Sequence, residues 1–221
     1  MAAERWLAAI WPIVHAQLPA APARVVELGC GPLGGFIPRL RASGYDAVGV
    51  DPKAPQEPGF HRVEFERAEL PAEADALVAS ASLHHVADPA AVLDRVAATL
   101  AQGGTVVVVE WAWEDFDEST ADWSFRRLGS EEGWLRRRRD EWLGSGEPWS
   151  TYLQGWAREE GLHEAKTLLS LLDERFERRQ LSRGPYLFAD LSSTSPEDEQ
   201  RAIDAGEITA IRVDYAGIRK A

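Results

Sequence analysis

An apolar run that breaks into glycines constrains this chain more than any other feature. Val25-Val26-Glu27-Leu28 leads into Gly29-Cys30-Gly31-Pro32-Leu33-Gly34-Gly35, and a second apolar run, Val48-Gly49-Val50, ends on Asp51. That order describes a buried strand, a tight turn where a ligand touches backbone, a helix and a second strand. A carboxylate at the tip of the second strand is placed to accept hydrogen bonds from the two hydroxyls of a ribose. Such a turn implies an adenosine-type cofactor.

The pattern continues in the same style. Residues 2–17 read as an amphipathic helix carrying Trp6, Leu7, Ile10, Ile13 and Val14, interrupted by Pro12. Strands are expected at Ala23–Leu28, Asp46–Val50, His61–Glu66, Ala74–Ser80 and Thr105–Glu110, the last with four consecutive valines that suit burial on both faces. A helix runs from about Gly34 to Ser43-Gly44, and Asp88-Pro89 starts another that ends at Gly103-Gly104. Alternation of this kind implies a parallel sheet with helices on both sides.

The pattern changes after Glu110. Seven of the nine tryptophans fall between Trp111 and Trp156, together with the run Arg136–Arg139. The stretch is too long for a simple crossover and reads as an inserted helical cap. A helix at about Thr151–Glu160 follows, then a strand pair or one bent strand at Phe176–Leu191. Ser195-Pro196 opens a capped helix. Ile208–Ile218 alternates Ile211, Val213 and Tyr215 against Arg212 and Asp214, the pattern of a half-exposed strand.

Gly29, Gly31 and Gly34 match G-x-G-x-x-G, which on its own is a weak dinucleotide signal. Glu27 tips the balance, because a carboxylate at the mouth of the loop repels a pyrophosphate and suits an ammonium and a sulfonium. With Glu27-Leu28-Gly29-Cys30-Gly31 the chain resembles the class I S-adenosylmethionine-dependent methyltransferases, whose first motif is an acidic residue followed by Gly-x-Gly. Pro32-Leu33 stands where one residue is more common, which leaves the third-glycine role open between Gly34 and Gly35. The resemblance implies a Rossmann-like α/β fold: seven strands, mostly parallel, with an antiparallel carboxy-terminal strand and helices on both faces. The expected organisation is a single domain over residues 1–221, with an N-terminal helix within 1–20 and an inserted helical lid at 111–150.

The resemblance also carries site residues. Gly29, Cys30 and Gly31 would offer backbone to the methionine part of S-adenosylmethionine, Glu27 would favour its ammonium, and Asp51 with Pro52 would meet the ribose. Ala68 and Glu69 are the candidates for the adenine edge, and Ser80 ends the fourth strand beside the cofactor. Ser82-Leu83-His84-His85-Val86 resembles the Leu-His-His-Val segment of ubiquinone and menaquinone biosynthesis methyltransferases. Imidazole titrates near neutrality, so His84 or His85 could take a proton from a hydroxyl acceptor; the bland reading is that one of them orients the loop. No third ligand is suggested by spacing, so no metal is expected.

Composition narrows the partners. A net charge of -12 and a pI near 4.9 argue against a nucleic-acid substrate. One cysteine excludes a disulfide framework and fits a reducing cytoplasm. No apolar run approaches membrane-spanning length. The expected reaction is methyl transfer to a small apolar or aromatic acceptor, most readily at oxygen, with a homodimer left open. The competing readings are a cofactor-binding partner or regulatory protein that does not methylate, and an NAD-dependent oxidoreductase.

Overall fold

Strand order follows from how strongly each run is apolar. The computed structural model describes residues 2–70, 73–130 and 132–220. β1 (Arg24–Leu28), β2 (Asp46–Val50), β3 (Phe60–His61), β4 (Ala74–Ser80) and β5 (Leu100–Trp111) run parallel. β7 (Arg212–Arg219) lies antiparallel between β5 and β6 (Phe176–Gly184), giving the order β3-β2-β1-β4-β5-β7-β6. The most apolar strands, β1, β4 and β5, sit in the middle, where helices can cover both faces.

Side chains alternate across the sheet and build two cores. Val25, Ala76, Val78, Val107 and Val109 pack with α1 (Ala2–His15) and α2 (Ile37–Ala42) through Ile10, Val14, Ile37 and Leu40. Val26, Leu77, Ala79, Val106 and Val108 pack on the other side with α3 (Pro89–Thr99) and α7 (Ala165–Arg175) through Leu93, Val96, Leu168 and Leu172. Truncating one such residue, Leu93→Ala for instance, costs about 2–5 kcal/mol. The Asp88 carboxylate accepts from the Ala91 amide at 3.0 Å and Pro89 occupies the first turn, so α3 starts where its sequence signals place it.

Between β5 and α7 the chain adds α4 (Glu118–Phe125), α5 (Trp134–Ser145) and α6 (Trp149–Glu159). Trp149 is their centre: its indole N–H donates to the Phe116 carbonyl at 2.6 Å, with Phe116, Phe125 and Trp142 rings 5.0, 5.3 and 5.5 Å away. Most of the tryptophans therefore build core. A final helix, α8 (Pro196–Asp204), is closed by a reciprocal cap between Ser195 and Asp198.

The structure differs from the sequence expectation in five places. β3 is only Phe60–His61, and Phe65–Arg67 forms a 3-10 turn instead of strand. α3 stops at Thr99, and the Gly103-Gly104 turn belongs to the β5 region. β6 is a single strand followed by a 3-10 turn, Leu187–Asp190, and α7 was not foreseen at all. β7 is buried instead of half-exposed. Its polar pair explains why: both oxygens of Asp214 accept from the Arg212 guanidinium at 2.8 and 2.9 Å, and Arg212 also donates to the Pro185 carbonyl. Paired charges can be buried inside a sheet, so alternation of polar and apolar residues misreads the face. None of the described helices is long and apolar enough to cross a membrane.

Candidate active site

The parallel register brings Leu28, Val50 and Ala79 level, so Gly29, Asp51 and Ala81 leave the sheet at one edge, where the strand order reverses. Crevices at such switch points are where open α/β sheets bind ligands. The Gly29 amide donates to the Val50 carbonyl at 2.8 Å, and a Cβ at Gly29 (φ +79°) would fall 2.2 Å from Ser82 Cβ. A Cβ at Gly31 (φ +63°) would meet no atom within 4 Å and would project into open space. Glycine there leaves bare backbone facing the cleft.

That cleft has a volume of about 890 Å³ and is bounded by Gly29, Gly31, Asp51, Pro52, Phe65 and His85, among others. Asp51 joins its two loops: one carboxylate oxygen accepts from the Gly31 amide at 3.0 Å, the other from the Lys53 amide at 2.6 Å. Each oxygen keeps accepting capacity for a ligand hydroxyl. The adenine candidates fare differently. The Ala68 side chain is buried in the core beside α3, its carbonyl accepts from Arg95, and Glu69 is exposed outside the cleft. The residues of this segment that do line the cleft are Glu64–Arg67, in the turn after the shortened third strand.

Glu27 is not at the mouth of the loop. It is fully buried beneath it, and both of its oxygens accept from the Phe36 amide, at 2.8 and 3.1 Å. Burial pushes its carboxyl up to about 8, against the opposing pull of the Phe36 and Ile37 amides. A Cβ at Gly35 (φ +54°) would sit 2.2 Å from this carboxylate, whereas one at Gly34 (φ +79°) would strike the Phe60 ring. Both glycines are required, for different neighbours. Cys30 is buried, with a thiol pushed up to about 12 by burial and by the Glu27 and Asp51 charges, and is a small residue the turn accepts.

The two histidines separate. His84 is buried, and its Nδ1 lies 2.5 Å from Glu110, whose other oxygen accepts from the Ser82 and Leu83 amides at 2.9 and 2.6 Å. Burial alone would raise the Glu110 carboxyl, but His84 and those amides outweigh it and hold it below the ordinary carboxylate range. His84 thus fixes the loop after β4 and has no open face for an acceptor. His85 is exposed on the cleft wall, its ring kept below the ordinary imidazole range by partial desolvation and by His84. Ala81, at the head of this loop, holds φ +47°, a conformation costing a non-glycine residue roughly 1 kcal/mol.

A second cavity of about 390 Å³ adjoins the first; the two share Gly29, Gly31, Pro32 and Ala81. Ser80 is in its wall, as are Trp6, Trp134, Tyr186 and Asp190. The Tyr186 ring lies nearly parallel to Trp111 at 5.9 Å, and Trp6 meets it edge-on at 6.1 Å. The Trp134 indole donates to Asp190 at 3.0 Å. Arg5 ties α1 over this region by donating to the carbonyls of Phe188, Ala189, Leu191 and Thr194. From beneath, Glu199 accepts from the Tyr186, Leu187 and Phe188 amides. Sequence reasoning missed Tyr186 and Asp190. It assigned Trp6 to a helix face, and it expected one or two tryptophans of the 111–156 stretch to face an acceptor without singling out Trp134.

Comparison with known proteins agrees with this architecture. The profile of a family described as "Methyltransferase domain" matches residues 3–142. Similar solved structures include an S-adenosylmethionine-dependent methyltransferase from Mesorhizobium loti, at 18% identity and TM-score 0.56, covering 96% of this chain and 98% of that one. Geranyl diphosphate C-methyltransferase from Streptomyces coelicolor, solved with Mg2+, geranyl diphosphate and S-adenosyl-L-homocysteine, aligns at 15% identity and TM-score 0.60, covering 98% and 80%. A Burkholderia thailandensis 1,6-didemethyltoxoflavin-N1-methyltransferase aligns at 14% identity and TM-score 0.58, covering 99% and 80%. No curated protein matches the sequence. By the family match, which spans more than half of its length, the chain belongs to the methyltransferase-domain family and is a class I S-adenosylmethionine-dependent enzyme.

Proposed function

We propose that this enzyme methylates a hydroxyl oxygen of a small apolar or aromatic acceptor and releases S-adenosylhomocysteine. The observation that carries the reading is the junction of two cavities at Gly29, Gly31, Pro32 and Ala81: one nucleotide-sized with Asp51 in its wall, the other walled by indole and phenol rings. An aryl hydroxyl of the kind that quinol-type acceptors carry suits the second.

When bound, the donor supplies a methyl group activated by its sulfonium. The chain's own contribution is to hold and align, since proximity accounts for much of such a displacement. Asp51 accepts from the ribose hydroxyls, with Pro52 beside it. Gly29, Cys30 and Gly31 offer backbone to the amino-acid part. Glu27 acts through that backbone: it anchors the Phe36 amide and so fixes the loop, and its buried position makes it a support instead of a direct ammonium ligand. Ser80 and Ala81 carry the boundary between donor and acceptor, while Glu110 and His84 hold the loop that follows. Residues 111–150 act as a lid, with Trp134 over the acceptor.

Calorimetric titration with S-adenosylmethionine, S-adenosylhomocysteine and NAD tests the donor half of this reading. Tight binding of the first two and none of NAD is expected. NAD binding as tight as that of S-adenosylhomocysteine would return the chain to the oxidoreductase reading.

A further inference from the structure

The acceptor cavity contains three ionisable side chains in its wall, Cys30, Tyr186 and Asp190. A thiol and a phenol keep their protons at neutral pH, and burial pushes both of these further up. Asp190 is therefore the group there that can accept a hydrogen bond as an anion. The Trp134 indole N–H engages one of its oxygens at 3.0 Å, which fixes the carboxyl against a rigid ring. Among the described residues no ion pair holds it: Arg5, the nearby cation, donates to four backbone carbonyls and only eases through its charge the rise that burial imposes on Asp190. The surrounding walls are flat rings, with Trp6 and Trp134 beside Tyr186.

We propose that Asp190 is the specificity-determining residue of the acceptor site, and that it selects a planar aromatic ligand by accepting a hydrogen bond from its hydroxyl group. This rests on the reading that the second cavity takes the acceptor. The aromatic rings supply area, and Asp190 supplies direction. A desolvated carboxyl, held above its ordinary range by burial, gains most from a ligand donor that replaces lost water. Neither histidine can take this role: His84 is turned onto Glu110, and His85 opens to the donor cleft and not to this cavity.

The test uses the full chain saturated with S-adenosylhomocysteine and three probes that share the naphthalene ring system: 2-naphthol, naphthalene and 2-naphthylmethylammonium. Binding is read by calorimetry or by quenching of tryptophan fluorescence. In the wild type, 2-naphthol should bind at least about tenfold more tightly than either other probe. Asp190→Asn should remove about tenfold of the 2-naphthol affinity and leave naphthalene and S-adenosylhomocysteine within about twofold. Equal loss for naphthalene would mean that the variant merely disturbs packing and would overturn the assignment. So would an undiminished naphthol preference in the variant, or naphthol and naphthalene binding alike in the wild type. Tightest binding of the ammonium would replace the hydroxyl with an amine. If S-adenosylhomocysteine binds and no probe does, the cavity is not an aryl acceptor site, while the methyl-transfer reading stands. If S-adenosylhomocysteine itself fails to bind, both readings fall.

Discussion

The two cavities that meet at Gly29 and Ala81 are built in opposite ways. The larger is made of backbone: strand tips, two positive-φ glycines and one carboxylate that ties neighbouring loops together. The smaller is made of side chains delivered by three distant segments, from Trp6 on α1, Trp134 at the start of α5 and Tyr186 to Asp190 after β6. The first uses the geometry that any parallel sheet offers at its switch point. The second can be rebuilt by changing a few rings without touching the sheet. A scaffold divided in this way keeps its donor and exchanges its acceptor.

Turnover on the natural acceptor sharpens that comparison most. Loss of a positioned proton acceptor costs about 100- to 10,000-fold in rate. If the acceptor side carries this step, Asp190→Asn takes that loss and His85→Ala stays within about tenfold, with steady-state kinetics as the readout. A loss of that size in His85→Ala instead would move the proton to the donor side and restore the histidine expected from sequence.

Beneath each side lies a buried carboxylate, and the two behave differently. Glu110→Ala leaves His84 and the Ser82 and Leu83 amides without their partner, and should cost about 3–5 kcal/mol of stability in chemical denaturation. A cost below about 1 kcal/mol would show that water replaces the network. The folded-state pKa of Glu110 is depressed, so its contribution is present above the unfolded carboxylate value and is lost as pH falls through the depressed one.

The donor side has its own measure in Asp51. Two charge-assisted hydrogen bonds to ribose hydroxyls are worth about 2–3 kcal/mol, so Asp51→Ala should weaken S-adenosylhomocysteine by that amount in calorimetry. Asp51 also holds the Gly31 and Lys53 amides, and part of the loss comes from a loosened loop. Unchanged affinity with an intact fold would remove Asp51 from the site.

What the sequence made legible divides along the same line. Gly29, Gly31 and Asp51 stand within one strand-turn-helix-strand unit, so short-range patterns locate them. The last strand was legible from its alternation and its antiparallel direction from the family resemblance, although the Arg212–Asp214 pair hid its burial. Ala68 and Glu69 were misplaced because β3 ends at His61 and a 3-10 turn follows, which shifts the register of everything up to Leu70. Glu27 was recognised as a partner of this loop but put on the wrong side of it, since residue type does not say which way a strand-end side chain turns. Tyr186 and Asp190 carried no signal: they lie in a short turn far along the chain, and long-range contacts, those of Arg5, Glu199 and Trp134 among them, bring that turn to the sheet edge.

Glu27 gives a gentler contrast with Glu110. Its folded-state pKa is raised to about 8 from an ordinary value of 4.5, so the folded state favours the protonated form. Stability linked to this group is fully present below the unfolded value and is lost as pH rises towards 8. The slope in that window is up to about 1.4 kcal/mol per pH unit, and Glu27→Gln should flatten it. Urea denaturation of both proteins at several pH values measures the difference. Parallel curves would mean that the Phe36 and Ile37 amides keep the carboxylate charged.

The smallest effect concerns motion. Leu135 is the one buried residue that α5 contributes, whereas β1, β4 and β5 are buried almost throughout. Sparse burial means a low local opening free energy, and the helix still carries Trp134 in the wall of the smaller cavity. Amide exchange across α5 should therefore be faster than in the central strands of the free enzyme. It should slow by about a few-fold once S-adenosylhomocysteine and 2-naphthol are both bound, because only an occupied cavity gives Trp134 a second face to pack on. The same slowing with S-adenosylhomocysteine alone would couple the helix to the donor side. Exchange that is equally slow in all states would make residues 111–150 a fixed wall, and the acceptor would then have to enter along the cleft beside His85.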